Sequence, residues 1–136
     1  MDRETWLVDH FLPFAKKYAT EYHQFMGDQL TSAYRRSGGV RPGHHFWYGS
    51  GVKRGEQEHY YEKAGVGVRP SRGHANSASI VQWTSLLCRM TKGKLKRVTD
   101  MERIQQARME LFTGKIKLRE FGMRCYLIGK GAQHGA

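Results

Sequence analysis

Between Tyr34 and His74 the chain interleaves cations with flat rings: Arg35, Arg36, Arg41, Lys53, Arg54, Arg69 and Arg72 lie among Trp47, Tyr48, Tyr60 and Tyr61. Guanidinium and ammonium groups neutralise phosphates, and an aromatic face stacks on any unpaired base. The mixture therefore has the chemistry of a surface that holds a nucleic-acid strand. A second cationic stretch follows at Arg89, Lys92, Lys94, Lys96 and Arg97, a run that contains no acidic residue, and Arg124 and Lys130 continue the series near the end. These cations and the four rings are the residues expected to meet nucleic acid. A competing use for the rings is a small aromatic core beneath the loops.

Other chemistries fit less well. His44, His45, His59 and His74, with Glu56 and Glu58 nearby, invite a metal ion. A closed zinc site wants about four ligands in paired spacings, whereas adjacent histidines point apart and neither cysteine has a neighbouring ligand. No metal is expected. Gly65-Val66-Gly67-Val68-Arg69-Pro70 starts like a dinucleotide fingerprint but places Pro70 where the third glycine belongs, and no Gly-Lys-Ser/Thr occurs, so no cofactor is expected. A nuclease would need carboxylates to hold a metal or act as a base. Glu56, Glu58, Glu62 and His59 are the compact group available, yet their spacing gathers them on neither one strand face nor one helix face. The expectation is a binding protein with no catalytic residue.

The charge balance points the same way. The net charge is +11 with a pI near 10.0, more than solubility requires, and it favours a polyanionic partner. Its distribution is uneven. Met1–Tyr34 carries three Lys/Arg against five Asp/Glu, Arg35–Ser85 eight against three, and Leu86–Ala136 twelve against four, so the cationic character begins after the first quarter. Cys88 and Cys125 are far apart and fit a reducing compartment, no apolar run is long enough to span a membrane, and acids interrupt the N-terminus where a signal peptide would be basic and then apolar. A cytoplasmic location is the expectation.

At 136 residues the chain reads as a single basic domain in three parts, residues 1–34, 35–78 and 79–131. In the first, Leu7, Phe11, Phe14, Tyr18, Tyr22, Phe25 and Leu30 recur at mostly three and four residues, one helical face that Pro13 interrupts. Either a helix begins near Leu12 with Pro13 in its first turn, or, as the unbroken phase favours, a longer helix is kinked or two helices abut there. The middle part holds nine of the sixteen glycines between Tyr34 and His74 and reads as an irregular insertion. In the last, Asn76, Ser77 or Ser79 would cap a helix with the face Ile80, Trp83, Leu87 and Met90, stopped by Gly93. Thr99 and Glu102 then form a capping-box pattern ahead of Met101, Ile104, Ala107 or Arg108, Leu111 and Phe112, with Gly114 at the stop.

Residues 115–131 allow two patterns. A helical period with a turn at Gly122 gives a helix-turn-helix carrying Arg124, Tyr126 and Lys130; a period of two gives a hairpin around Phe121-Gly122. The expected fold is thus mainly α with an irregular glycine-rich centre and a C-terminal helix-turn-helix, the alternative being α+β with a C-terminal hairpin. The expected function is a small nucleic-acid-binding regulatory factor, on DNA or RNA, in transcription or nucleic-acid processing. An adaptor or inhibitor of an enzyme such as RNA polymerase or a nuclease is the alternative, and a metal-dependent nuclease the third.

Overall fold

The computed structural model describes residues 1–64 and 81–134. Two compact units divide the chain, Met1–Lys96 and Arg97–Ala136. The first contains α1 (Arg3–Trp6), a π-helical segment (Leu7–Phe11), α2 (Leu12–Glu21), β1 (Gln24–Met26), α3 (Gly27–Arg36), α4 (Trp47–Gln57), β2 (Tyr61–Lys63), β3 (Gln82–Ser85), β4 (Cys88–Thr91) and β5 (Lys94–Arg97). The second contains α5 (Asp100–Phe112) and α6 (Leu118–His134). The protein is helix-rich, with two small antiparallel sheets among the described residues.

The N-terminal stripe forms helix as its spacing predicts, in abutting segments that meet beside Pro13. Asp2 starts it by accepting from the Thr5 N–H at 2.7 Å. Pro13 falls in the first turn of α2, and the π-helical segment stands immediately before it, with the Leu12 N–H bonded to the Leu7 carbonyl. A proline ring crowds the carbonyl four residues back, and a wider turn relieves that crowding without ending the helix. Beyond Glu21 the stripe leaves the helix, since Phe25 belongs to β1, whose next residue opens α3. Trp6, Leu7, Phe11, Ala15, Ala19, Phe25, Leu30 and Tyr34 all enter the core, while Phe14 and Tyr18 pack half-buried against it.

The glycine-rich stretch is less irregular than expected, because α4 occupies its centre. Glycine weakens a helix by about 1 kcal/mol relative to alanine when nothing else depends on it. Here something does. A Cβ on Gly51 would stand 2.6 Å from the Phe11 ring, and one on Gly55 would stand 2.1 Å from Tyr61 Oη. One bare face of α4 thus receives two aromatic side chains, and the close approach offsets the lost propensity.

The expected helix with the face Trp83, Leu87 and Met90 is not formed; its caps and Ile80 lie outside the described residues. Residues 82–85 are instead the central strand β3, with Phe25 of β1 opposite Trp83 on one side and Tyr61 of β2 opposite Ser85 on the other. The Ser85 hydroxyl decides the geometry after it. It donates to the Ala19 carbonyl at 2.5 Å and accepts from the N–H groups of Leu87 and Cys88 at 2.9 and 3.3 Å, turning the chain into β4. Trp83 and Leu87 reach the same core across that turn, so a spacing of four fits a helix and a strand–turn equally.

In the second unit the Thr99 half of the capping pattern is formed. The Thr99 hydroxyl accepts from the Glu102 N–H at 3.2 Å, and Gly114 ends α5 at φ +78°. The Lys115 N–H reaches the Glu110 carbonyl at 2.9 Å and the Gly114 N–H reaches that of Leu111 at 3.2 Å, the two bonds of a Schellman stop. Neither C-terminal expectation survives: α6 runs straight through Gly122, with no turn for a helix-turn-helix and no hairpin. The buried side chains of Ala107, Ile116 and Ile128, and an Arg124–Glu110 bridge of 2.5 Å, outweigh the weak propensity of Gly122.

Candidate nucleic-acid interface

Two features of the first unit gather the cations. One is the β4–β5 ribbon. Lys92 (φ +52°) and Gly93 (φ +76°) are the central pair of a two-residue turn with both residues in the left-handed region, the geometry that matches strand twist in a tight hairpin. The ribbon is rooted at Cys88, which is 1% exposed and whose Sγ donates to the Ala19 carbonyl at 3.1 Å. His23 Nδ1 stands 3.3 Å from the Cys88 carbonyl and ties the same root to the end of α2. Burial keeps the Cys88 thiol protonated by raising its pKa. From Arg89 to Arg97 every residue is exposed, including Met90 and Leu95, and no carboxylate occurs in the run.

The other feature is a cleft of about 540 Å³ between the end of α3 and the start of α4, lined by Arg35, Gly38, Gly39, Arg41, Pro42, His45 and Tyr48. Its loop is held by one oxygen, the Val40 carbonyl, which accepts from Trp6 Nε1 at 2.7 Å and from Tyr34 Oη at 2.5 Å. Gly39 allows that arrangement, since a Cβ there would lie 2.5 Å from the Tyr34 ring. Burial raises the Tyr34 pKa and keeps the phenol a donor. Arg35 places its guanidinium 4.5 Å from the centre of the Tyr48 ring, a cation–π contact that holds this charge at the cleft. Beside it His44, His45 and Phe46 pack ring against ring with centroids 4.1–4.8 Å apart, and Phe46 is 66% exposed.

The remaining expected contacts are dispersed. Arg36 and Lys53 are exposed on α3 and α4. Trp47 and Tyr60 are half-buried against the core, and Trp47 packs with Trp6 at 6.1 Å. Tyr61 is a correction: fully buried, it donates to the Val52 carbonyl at 2.5 Å and cannot stack on a base. Arg54 is another, because its guanidinium grips Glu4 at 2.7 Å and Glu58 at 3.7 Å. That grip lowers the Glu4 pKa and raises that of Arg54. In the second unit Arg124 bridges Glu110 and Glu120 and is committed to the fold, while Lys130 is exposed on α6. Arg69 and Arg72 lie outside the described residues.

The acidic group considered for hydrolysis does not assemble either. Glu58 pairs with Arg54, and among the described residues no three His, Cys, Asp or Glu side chains stand together as a metal site would require. His45 and Phe46 were not among the expected contacts, although five consecutive ring residues, His44 to Tyr48, directly follow Gly43 and Phe46 has few apolar neighbours to cover it. Comparison with protein-family profiles, with characterised proteins and with solved structures gives no match.

Proposed function

We propose that this protein binds nucleic acid, as a small regulatory factor acting in transcription or nucleic-acid processing. The observation that carries the reading is the β4–β5 ribbon, where Lys92, Lys94, Lys96 and Arg97 stand exposed on a two-stranded hairpin with no carboxylate among them. A two-stranded ribbon fits the major groove of duplex DNA and equally tracks a phosphate backbone. Cations set this closely repel one another, and a polyanion relieves that repulsion while releasing its counterions. The test is binding of labelled duplex DNA, single-stranded DNA and RNA across a potassium chloride series. Measurable affinity that falls steeply with salt supports the reading; affinity for none of the three overturns it.

A second reading, an adaptor on a nucleic-acid enzyme, draws on the second unit, where Met109, Phe112, Leu118 and Tyr126 are all exposed. Gathered into one patch, exposed side chains of this kind would serve a protein contact. Reproducible co-purification with a polymerase or nuclease, lost on Phe112→Glu, would favour it, and a monomeric protein without such a partner would sink it. No helix among the described residues is long and apolar enough to cross a membrane.

A further inference from the structure

We infer that the cleft between α3 and α4 is a single-nucleotide site, taking the phosphate on Arg35 and Arg41 and the base on the exposed ring cluster of His44, His45 and Phe46, which reaches the cleft at His45. The inference deepens the nucleic-acid reading and rests on it only for the source of the nucleotide. A cleft of about 540 Å³ lies within the range of small-ligand sites, roughly 300–1,000 Å³. It is far too small for a duplex. Two of its lining side chains are guanidiniums, and among the described residues none of those lining it is acidic. Guanidinium forks match phosphate oxygens, and Arg35 is already oriented by its stacking on Tyr48, so it presents its donors without a search.

The base platform is a separate observation. His44, His45 and Phe46 form an exposed cluster with all three ring centroids 4.1–4.8 Å apart, His45 lines the cleft, and Phe46 leaves most of its surface in water. An exposed ring face gains when another flat ring covers it, and a nucleobase is the flat ring that arrives attached to a phosphate. The walls support the same use. Gly38 at φ +79° and Gly39 line the cleft with bare backbone, and Gly39 is kept bare by the Tyr34 ring packed against it.

The test is a titration of the whole protein with adenosine and uridine 5′-monophosphate, followed by amide and ring NMR shifts, with inorganic phosphate as the control. Saturable shifts at Arg41, His45 and Tyr48, weakened about tenfold or more in Arg41→Gln, are expected. The variant Lys92→Asn/Lys94→Gln/Lys96→Gln should bind the mononucleotides as the wild type does, so a failed ribbon and a failed cleft are told apart. In the ribbon-neutralised variant, a 5′-phosphorylated oligonucleotide binding more tightly than the mononucleotide identifies a strand as the source; equal affinity identifies the free nucleotide. No mononucleotide binding, binding indifferent to Arg41→Gln, or phosphate binding as tightly as the nucleotide would each overturn the site. Preserved dispersion in the spectrum of Arg41→Gln excludes unfolding as the cause.

Discussion

Neutralising the ribbon is the sharpest perturbation the structure offers, because its effect can be sized in advance. Lys92→Asn/Lys94→Gln/Lys96→Gln removes three charges from residues that are all exposed, so the core stays intact. Lys92 sits at φ +52°, a conformation asparagine adopts more readily than lysine, and the turn should be at least as stable after the change. If each lysine neutralises one phosphate, the slope of log K against log salt should lose about 0.9 per charge on duplex and about 0.7 on single strands. The full loss is then about 2.7 or about 2.1 in slope, and the ratio reports the kind of strand bound. Near 0.15 M salt that corresponds to a fall in affinity on the order of a hundredfold. Fluorescence anisotropy with labelled strands between about 50 and 300 mM potassium chloride reads both quantities within the range where counterion release dominates. A slope unchanged to within about 0.5, with the melting temperature also unchanged, would refute the reasoning, because the ribbon would then not lie on phosphate.

Three further outcomes follow from the packing. Gly55→Ala should destabilise the fold by about 1–3 kcal/mol despite alanine's better helix propensity, because the new methyl collides with Tyr61, whereas Gly122→Ala, with nothing within 4 Å, should stabilise by up to about 1 kcal/mol; thermal melts of the two test both signs. Burial raises the pKa of Tyr61, so the folded state holds its proton when the unfolded state has lost it; stability should be constant below about pH 10 and fall as pH rises beyond it. Urea midpoints measured across that range should decline less in Tyr61→Phe than in the wild type. Thr99→Ala removes the acceptor for the Glu102 N–H and should cost about 1 kcal/mol, with amide exchange in the first turn of α5 accelerating.

What could be read in advance follows a physical line. Thr99, Glu102 and Gly114 act through bonds to near neighbours, so their sequence pattern carries their geometry, and α5 begins and ends where they put it. Pro13 likewise announced a perturbed helix, with the π-helical turn as its form. Gly51 and Gly55 were opaque because their role depends on Phe11 and Tyr61, one far away in sequence and the other in the next element. Read locally, glycine signals a turn; only the fold shows which ring occupies the missing side chain's place. Leu87 misled for a similar reason, since Ser85 turns the chain between it and Trp83 through a bond to Ala19. For the candidate site, the cationic density at Lys92–Arg97 was legible from charge alone. The pairing of Arg54 with Glu4 and of Arg124 with Glu110 was not, because a charge pattern does not state which opposite charge will be near.

The double acceptance at Val40 sets the character of anything that binds beside it. Trp6 comes from the first helix and Tyr34 from the third, so the position of the cleft's rim is slaved to how those helices pack rather than to the rim's own sequence. The backbone freedom there is surrendered during folding, and an arriving molecule meets a wall that needs little further ordering. A loosened core, even at a residue remote from the rim such as Leu30, would therefore register as weaker capture before it registered as an unfolded chain.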